Sequence, residues 1–196
     1  MSFTIREATK DDIDTLVDIY LDSFTNEIFS RQIFPRTASS TTEYWKKCYT
    51  EEIDEPNATF LLLLDSETPV GFIKWVSPDA PWHDADEDGY PEEGLPEVAT
   101  QYYKDLFAIH RRLMEGTRHW YLDMMGVRRE YTGKGGATKL VDWGFERAKR
   151  DGTVVFVESV GEARTFYERF GFESVERLVV DTPEGEAETF FMVARQ

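Results

Sequence analysis

The stretch Met125-Gly126-Val127-Arg128-Arg129-Glu130-Tyr131-Thr132-Gly133-Lys134-Gly135-Gly136-Ala137-Thr138 decides how this chain is read. A strand pattern ends at Val127, a glycine-rich turn follows, and a helical pattern opens directly after it. Gly133, Gly135 and Gly136 permit positive φ and let the backbone approach a ligand closely. The first N–H groups of the following helix have no partner within it, and the helix dipole adds partial positive charge there. Such an end is a ready phosphate site. Seven cations (Arg128, Arg129, Lys134, Lys139, Arg147, Lys149, Arg150) stand against four acids (Glu130, Asp142, Glu146, Asp151) between 128 and 151, a local reversal in a chain of net charge −16. A multiply phosphorylated ligand would use it.

Other phosphate motifs fit poorly. The P-loop needs Gly, four residues, then Gly-Lys-Ser/Thr, whereas Gly133-Lys134 is followed by Gly135 and position 128 is Arg. The dinucleotide fingerprint would need glycine where Thr138 stands.

Working outward, the last third alternates between strand and helix. A strand is predicted over His119–Val127, a helix over Ala137–Arg150, a strand over Thr153–Glu158, a helix over Glu162–Phe170, and strands over Phe172–Val180 and Glu188–Val193. Towards the N-terminus, Phe3 and Ile5 open a short strand. Thr9-Lys10-Asp11-Asp12 resembles a capping box. Ile13, Leu16, Val17, Tyr20, Leu21 and Phe24 then fall at helical spacing. A weaker helix is expected over Thr42–Glu52, and Thr59–Leu64 and Val70–Val76 form a hairpin about Asp65–Pro69. Residues 78–97 hold eight acids (Asp79, Asp84, Asp86, Glu87, Asp88, Glu92, Glu93, Glu97) and no Lys or Arg. They read as a long surface loop leading to a helix over Glu97–Glu115. The fold class is α/β: a mixed, largely antiparallel central sheet of six to seven strands with helices on both faces. The 196 residues read as a single domain carrying this acidic insertion.

Composition narrows the function. Hydrophobic residues make up 41% and aromatic residues 14%, enough for a full core. No run reaches the roughly 20 apolar residues of a membrane span, and residues 1–7 lack the plan of a signal peptide. A cytoplasmic protein without membrane partners is expected. The acidic balance argues against nucleic acid as a partner. One cysteine, Cys48, excludes an internal disulfide and a cysteine zinc site. His83, His110 and His119 form no zinc pair. Asp84-Ala85-Asp86-Glu87-Asp88-Gly89 resembles a calcium loop, but its twelfth position is Leu95, not Glu. No metal is expected. Ser159 has Val157, not glycine, two positions earlier, so a hydrolase nucleophile elbow is absent.

Two segments carry a resemblance. Val127–Thr138 resembles motif A of the GCN5-related N-acetyltransferases, whose acetyl-CoA loop runs Gln/Arg-x-x-Gly-x-Gly/Ala. Ala163-Arg164-Thr165-Phe166-Tyr167-Glu168-Arg169-Phe170-Gly171-Phe172 is similar to the family's motif B. The predicted order of elements also matches, and the resemblance is specific over about Tyr121–Phe172. Thr132 stands where the family usually has Gln or Arg, and Val160 where many members have Asn.

The resemblance implies an acetyl-CoA-dependent N-acetyltransferase with direct attack of an amine on the thioester. Backbone groups of Met125 and Val127 would meet the thioester and the pantetheine arm. Thr132, Gly133, Lys134, Gly135, Gly136, Ala137 and Thr138 would hold the pyrophosphate. Tyr167 would protonate the departing thiolate. Strand parity sets Tyr121, Asp123, Met125 and Val127 on one face until any bulge intervenes. Asp123 is the candidate base, with Glu158 as an alternative and His119 a weaker candidate. The expected acceptor is a small-molecule amine. A protein N-terminus or lysine, or a non-catalytic acyl-CoA-binding module, is the alternative.

Overall fold

The computed structural model describes residues 2–82 and 89–195. The elements run β1 (Phe3–Glu7), α1 (Ile13–Ser23), α2 (Ile28–Ile33), α3 (Ser39–Glu52), β2 (Ala58–Asp65), β3 (Thr68–Val76), α4 (Pro96–Met114), β4 (His119–Val127), α5 (Gly136–Asp151), β5 (Val154–Val160), α6 (Arg164–Glu168), β6 (Phe172–Thr182) and β7 (Gly185–Ala194). The strands form one seven-stranded sheet in the order β1-β2-β3-β4-β5-β7-β6. Among the described residues β4 and β5 pair parallel and every other neighbouring pair is antiparallel. The expected mixed, largely antiparallel α/β sheet is the observed one.

Alternation in the strands explains the two layers. In β2, Leu61 and Leu63 pack with Leu140 and Val141 of α5 and Tyr167 of α6. The intervening Phe60 and Leu62 pack with Leu16 and Tyr20 of α1 and Trp45 and Tyr49 of α3. Helices therefore cover both faces, as the period of two along a strand requires. Helix α5 lies so close that a Cβ at Gly144 would sit 2.2 Å from the Trp75 ring. The Trp75 indole N–H donates to the Leu140 carbonyl at 3.3 Å.

Two elements depart from the sequence reading. Helix α2 is absent from it, being six residues long and too short for a periodic signal. The Glu27 carboxylate caps it, accepting from the N–H groups of Phe29 (3.1 Å) and Ser30 (2.5 Å). The helix expected over Glu162–Phe170 shortens to a 3₁₀ turn over Gly161–Ala163 followed by α6. At the start of α1, Arg6 grips Asp12 with two hydrogen bonds of 2.8 and 2.7 Å. The guanidinium holds the Asp12 carboxyl at about 2.

The feature that makes a site is a fork in the sheet. Strands β4 and β5 pair from His119↔Val154 to Leu122↔Val157. Beyond that point both continue, to Val127 and Val160, without pairing. The register of β4 on β3 also shifts there: Trp75 faces Leu122 and Lys74 faces Met124, leaving Asp123 as the extra residue of a bulge.

Candidate active site

The fork exposes backbone. The Arg128 N–H donates to the Val70 carbonyl at 2.8 Å. Bonded pairs recur at every second residue of an antiparallel ladder, so Gly126 and Arg128 address β3. Met125 and Val127 therefore turn their N–H and C=O groups into the gap between β4 and β5, where an extended ligand can add as a strand.

The glycine-rich turn lies at the open end of this gap. Gly133 and Gly135 have φ of +76° and +87°. Any other residue type would be strained there. Gly135 leads into α5, and no side chain caps that helix end. The N–H groups of the first turn, Gly136 to Thr138, are thus left for an anion. Gly136 is the point where this turn touches the core, since a Cβ there would lie 2.4 Å from Leu63 Cδ2. Thr132, Gly133, Lys134, Gly135 and Thr138 are exposed. These residues fit a pyrophosphate: an uncapped 16-residue helix whose leading backbone approaches without side chains.

The local excess of cations serves the fold more than the sequence reading anticipates. Arg129 is tied to Asp22 of α1 through its N–H (2.8 Å) and its guanidinium (3.2 Å). Arg128 Nε donates to the Pro69 carbonyl at 3.3 Å, and Arg147 stacks 3.1 Å from the Trp143 ring centroid. Lys134 lies over the Tyr131 ring at 4.8 Å.

Tyr167 is buried on the α5 side of the sheet, with its ring edge-on to Phe166 and Phe172. Burial pushes its phenol above the ordinary value, which keeps it protonated.

The bulge corrects the parity expected for β4. Tyr121 and Asp123 face a cavity on the α3/α4 side, whereas Met125 packs into the opposite layer. Met125 and Val127 contribute backbone to the fork, not side chains beside Asp123. The cavity measures about 550 Å³ and lies between α3, α4, β3 and β4. Aromatic rings form much of its wall, including Tyr44, Trp45, Tyr90, Tyr103 and Phe107. Glu51 and Glu52 bring carboxylates from the end of α3, and Glu55 one from the turn after it.

Inside the cavity Lys74 bridges two acids, at 2.9 Å to Glu52 and 2.5 Å to Asp123. Both carboxylates hold the Lys74 ammonium in its charged form against burial. Burial pushes the Glu52 carboxyl up. Two acids on one cation leave this wall with a net negative charge. The Tyr49 hydroxyl and the Trp45 indole N–H, both buried, have no hydrogen-bond partner among the described residues.

Sequence reasoning missed Lys74, Glu52 and His110. Lys74 sits in the run Val70–Val76, where a single Lys with buried neighbours reads as a strand residue turned to solvent. No spacing rule links 52, 74, 110 and 123. Trp82 lines the cavity. His83, Asp84, Asp86, Glu87 and Asp88 of the acidic loop lie outside the described residues. Among the described residues no group of His, Cys, Asp and Glu could hold a metal ion, and no helix is long and apolar enough to cross a membrane.

Residues 13–172 match the family described as the acetyltransferase (GNAT) family. No curated protein matches the chain. Three solved structures illustrate the fold. A structure from Corynebacterium glutamicum, titled histone acetyltransferase HPA2 and related acetyltransferase, is 20% identical with a TM-score of 0.64, covering 100% of this chain and 97% of its own. An N-acetyltransferase from Staphylococcus aureus is 15% identical with a TM-score of 0.63, covering 100% and 99%. The PaiA N-acetyltransferase of Thermoplasma acidophilum, solved in complex with coenzyme A, is 17% identical with a TM-score of 0.58, covering 100% of both chains.

Proposed function

The chain belongs to the acetyltransferase (GNAT) family, with acetyl-CoA as co-substrate, and on that premise we propose that it acetylates the primary amine of a small molecule. The observation that carries the acceptor is the acidic, aromatic-walled cavity of about 550 Å³ beside the β4/β5 fork. That volume suits a small ligand. Its carboxylates suit a cation. Glu51 and Glu52 end α3, which has no basic residue in its last turn. Acids at that negative end of a helix are unfavourable by themselves and become favourable beside a bound ammonium.

Acetyl-CoA, when bound, supplies an activated acetyl thioester. The residues of this chain do the rest. The amides of Gly133 to Thr138, with Thr132 and Lys134 at the rim, hold the pyrophosphate. The N–H of Met125 or Val127 donates to the acetyl carbonyl oxygen and stabilises the oxyanion. Tyr167 delivers a proton to the thiolate. Asp123, with Glu52 and Lys74, attracts and orients the ammonium on the cavity side of the same strand.

Thermal shift and a thiol-release assay test this together. At a hundredfold excess over Kd, acetyl-CoA should add about 2.7 kcal/mol and raise Tm by roughly 5–11 °C. Small alkylamines should then release free thiol, and lysine peptides should not. Peptide acetylation alone would move the acceptor to proteins. Binding without thiol release from any amine would make the chain a non-catalytic acyl-CoA module. No binding would overturn the phosphate cradle.

A further inference from the structure

Behind the cavity wall a carboxylate and two imidazoles form a chain that the preceding roles leave unused. Glu158, on β5, stands one residue past the last β4–β5 pair. Its side chain and that of His110, on α4, are each 6% exposed. The Tyr121 hydroxyl donates to Glu158 Oε2. Tyr121 and Asp123 line the same cavity, and burial first, then the Glu158 and Asp123 charges, push the Tyr121 phenol up. His110 Nδ1 lies 3.0 Å from Glu158 Oε1. That contact has ion-pair distance but not hydrogen-bond alignment, since Oε1 has no hydrogen-bond partner among the described residues. On its other side His110 Nε2 meets His119 Nε2 at 3.0 Å, and His119 Nδ1 meets the Thr117 carbonyl at 2.8 Å.

The hydrogen positions follow from the ends of the chain. A carbonyl only accepts, so His119 carries its proton on Nδ1. Burial holds His119 neutral, with its pKa lowered to about 4. Its Nε2 is therefore an acceptor, and His110 must donate from Nε2. Neutral His110 then presents a bare Nδ1 to the open lone pairs of Oε1. One added proton turns that repulsive contact into a hydrogen bond. Other groups facing the pair are Tyr102 of α4, His119, Tyr121 and Asp123 of β4, and, through Asp123, Lys74 of β3.

We propose that Glu158 and His110 form the proton store of the acceptor cavity, filled through the Tyr121 hydroxyl by the proton that the acceptor ammonium must lose. This rests on the amine acetylation proposed above. The ammonium N–H bond breaks as the Tyr121 oxygen takes that proton, and Tyr121 passes its own hydroxyl proton to Glu158 Oε2; a half-turn of the carboxyl then presents that proton to His110 Nδ1. The sum is ammonium plus carboxylate giving neutral amine plus carboxylic acid. The second nitrogen proton leaves after attack on the thioester and goes to Tyr167, replacing the one that Tyr167 gives to the thiolate. The store returns its proton to water after each turnover. Glu158 and His110 are positioning and proton-storing residues, and Tyr121 is the group that touches the acceptor.

Glu158→Gln tests this without a packing change. The amide oxygen accepts from Tyr121, and the amide N–H donates to His110 Nδ1, so each contact keeps a partner. For an alkylamine, charged at neutral pH, kcat should fall about 100-fold, and the ascending limb of the pH–rate profile should disappear. The KM for acetyl-CoA should not change. For an arylamine, already neutral at that pH, the variant should turn over at the parent rate. An equal loss on both amines would overturn the store, as would an unchanged alkylamine rate. So would a limb that vanishes in Asp123→Asn and survives in Glu158→Gln. If the parent acetylates no amine, the function proposed above fails. Nitrogen-15 NMR of the histidine rings then decides the store separately. His119 protonated at Nδ1, His110 at Nε2, and a His110 Nδ1 shift that responds to Glu158→Gln support it. The opposite tautomers overturn it.

Discussion

Replacing Gly135 by alanine isolates backbone strain from steric clash. Its φ is +87°, and a Cβ built there meets no heavy atom within 4 Å. The substitution collides with nothing in the protein, so its cost is that of holding an L-residue in the left-handed region, roughly 1–2 kcal/mol. That cost has two places to appear. If the loop keeps its shape in the free protein, Tm falls by roughly 2–8 °C while the Kd for acetyl-CoA stays put. If the loop relaxes to negative φ, Tm stays put and binding must restore the geometry, weakening affinity roughly 5- to 30-fold. Calorimetric melting and titration of one preparation measure both quantities. Their sum should lie near 1–2 kcal/mol. Parent values of Tm and Kd together would refute the loop geometry and with it the anion cradle. Gly136→Ala is the contrasting case. Its Cβ would meet Leu63 Cδ2 at 2.4 Å, so it should lose stability through overpacking, about 1–3 kcal/mol.

Lys74→Met leaves Glu52 and Asp123 on the cavity wall without their shared cation, and chemical denaturation should show a loss of about 3–5 kcal/mol, partly recovered in the double variant Lys74→Met with Asp123→Asn. His119 is held neutral with a pKa of about 4 against an ordinary 6.5. Below 6.5 the unfolded chain takes up a proton that the folded one refuses, so stability is full above that pH and falls towards pH 4; melts of His119→Gln should show a shallower fall over this window. Asp12, held at about 2 by Arg6, stabilises the fold above its unfolded value of 3.8, and that stability drains as pH drops towards 2; Asp12→Asn should be insensitive to pH there. Tyr167→Phe should lower kcat at least tenfold with unchanged acetyl-CoA affinity, read by single-turnover thiol release.

The mechanistic proposals rest on one geometric circumstance. Strands β4 and β5 are parallel neighbours that stop pairing at Leu122↔Val157. One end of the gap meets the amide cradle of α5, and its cavity side carries Asp123, Tyr121 and, behind them, Glu158. Charge divides in the same way. Net negative charge lines the cavity proposed for the acceptor, and the uncapped start of α5 lies at the end proposed for the cofactor.

Most of the elements, and the glycine-rich turn that opens α5, were legible in the sequence. The spacing of Ile13 to Phe24, the alternation of Phe60 to Leu64, and the glycines before Ala137 are local signals, and local signals survive without coordinates because helix period, strand period and positive φ are properties of short segments. The strand that carries Asp123 and the short helix that carries Tyr167 were legible in the same way. What Asp123 faces follows from its pairing across the sheet. A single bulge between Leu122 and Met124 turns Met125 to the opposite layer, and no composition rule announces one extra residue in a ladder. Lys74, Glu52, His110 and Glu158 come from four different elements. Their ion pairs and proton positions depend on distances across the sheet, which sequence separation does not encode. The glycine-rich turn could be read because it is made of consecutive backbone. The cavity could not, because it exists only where distant side chains meet.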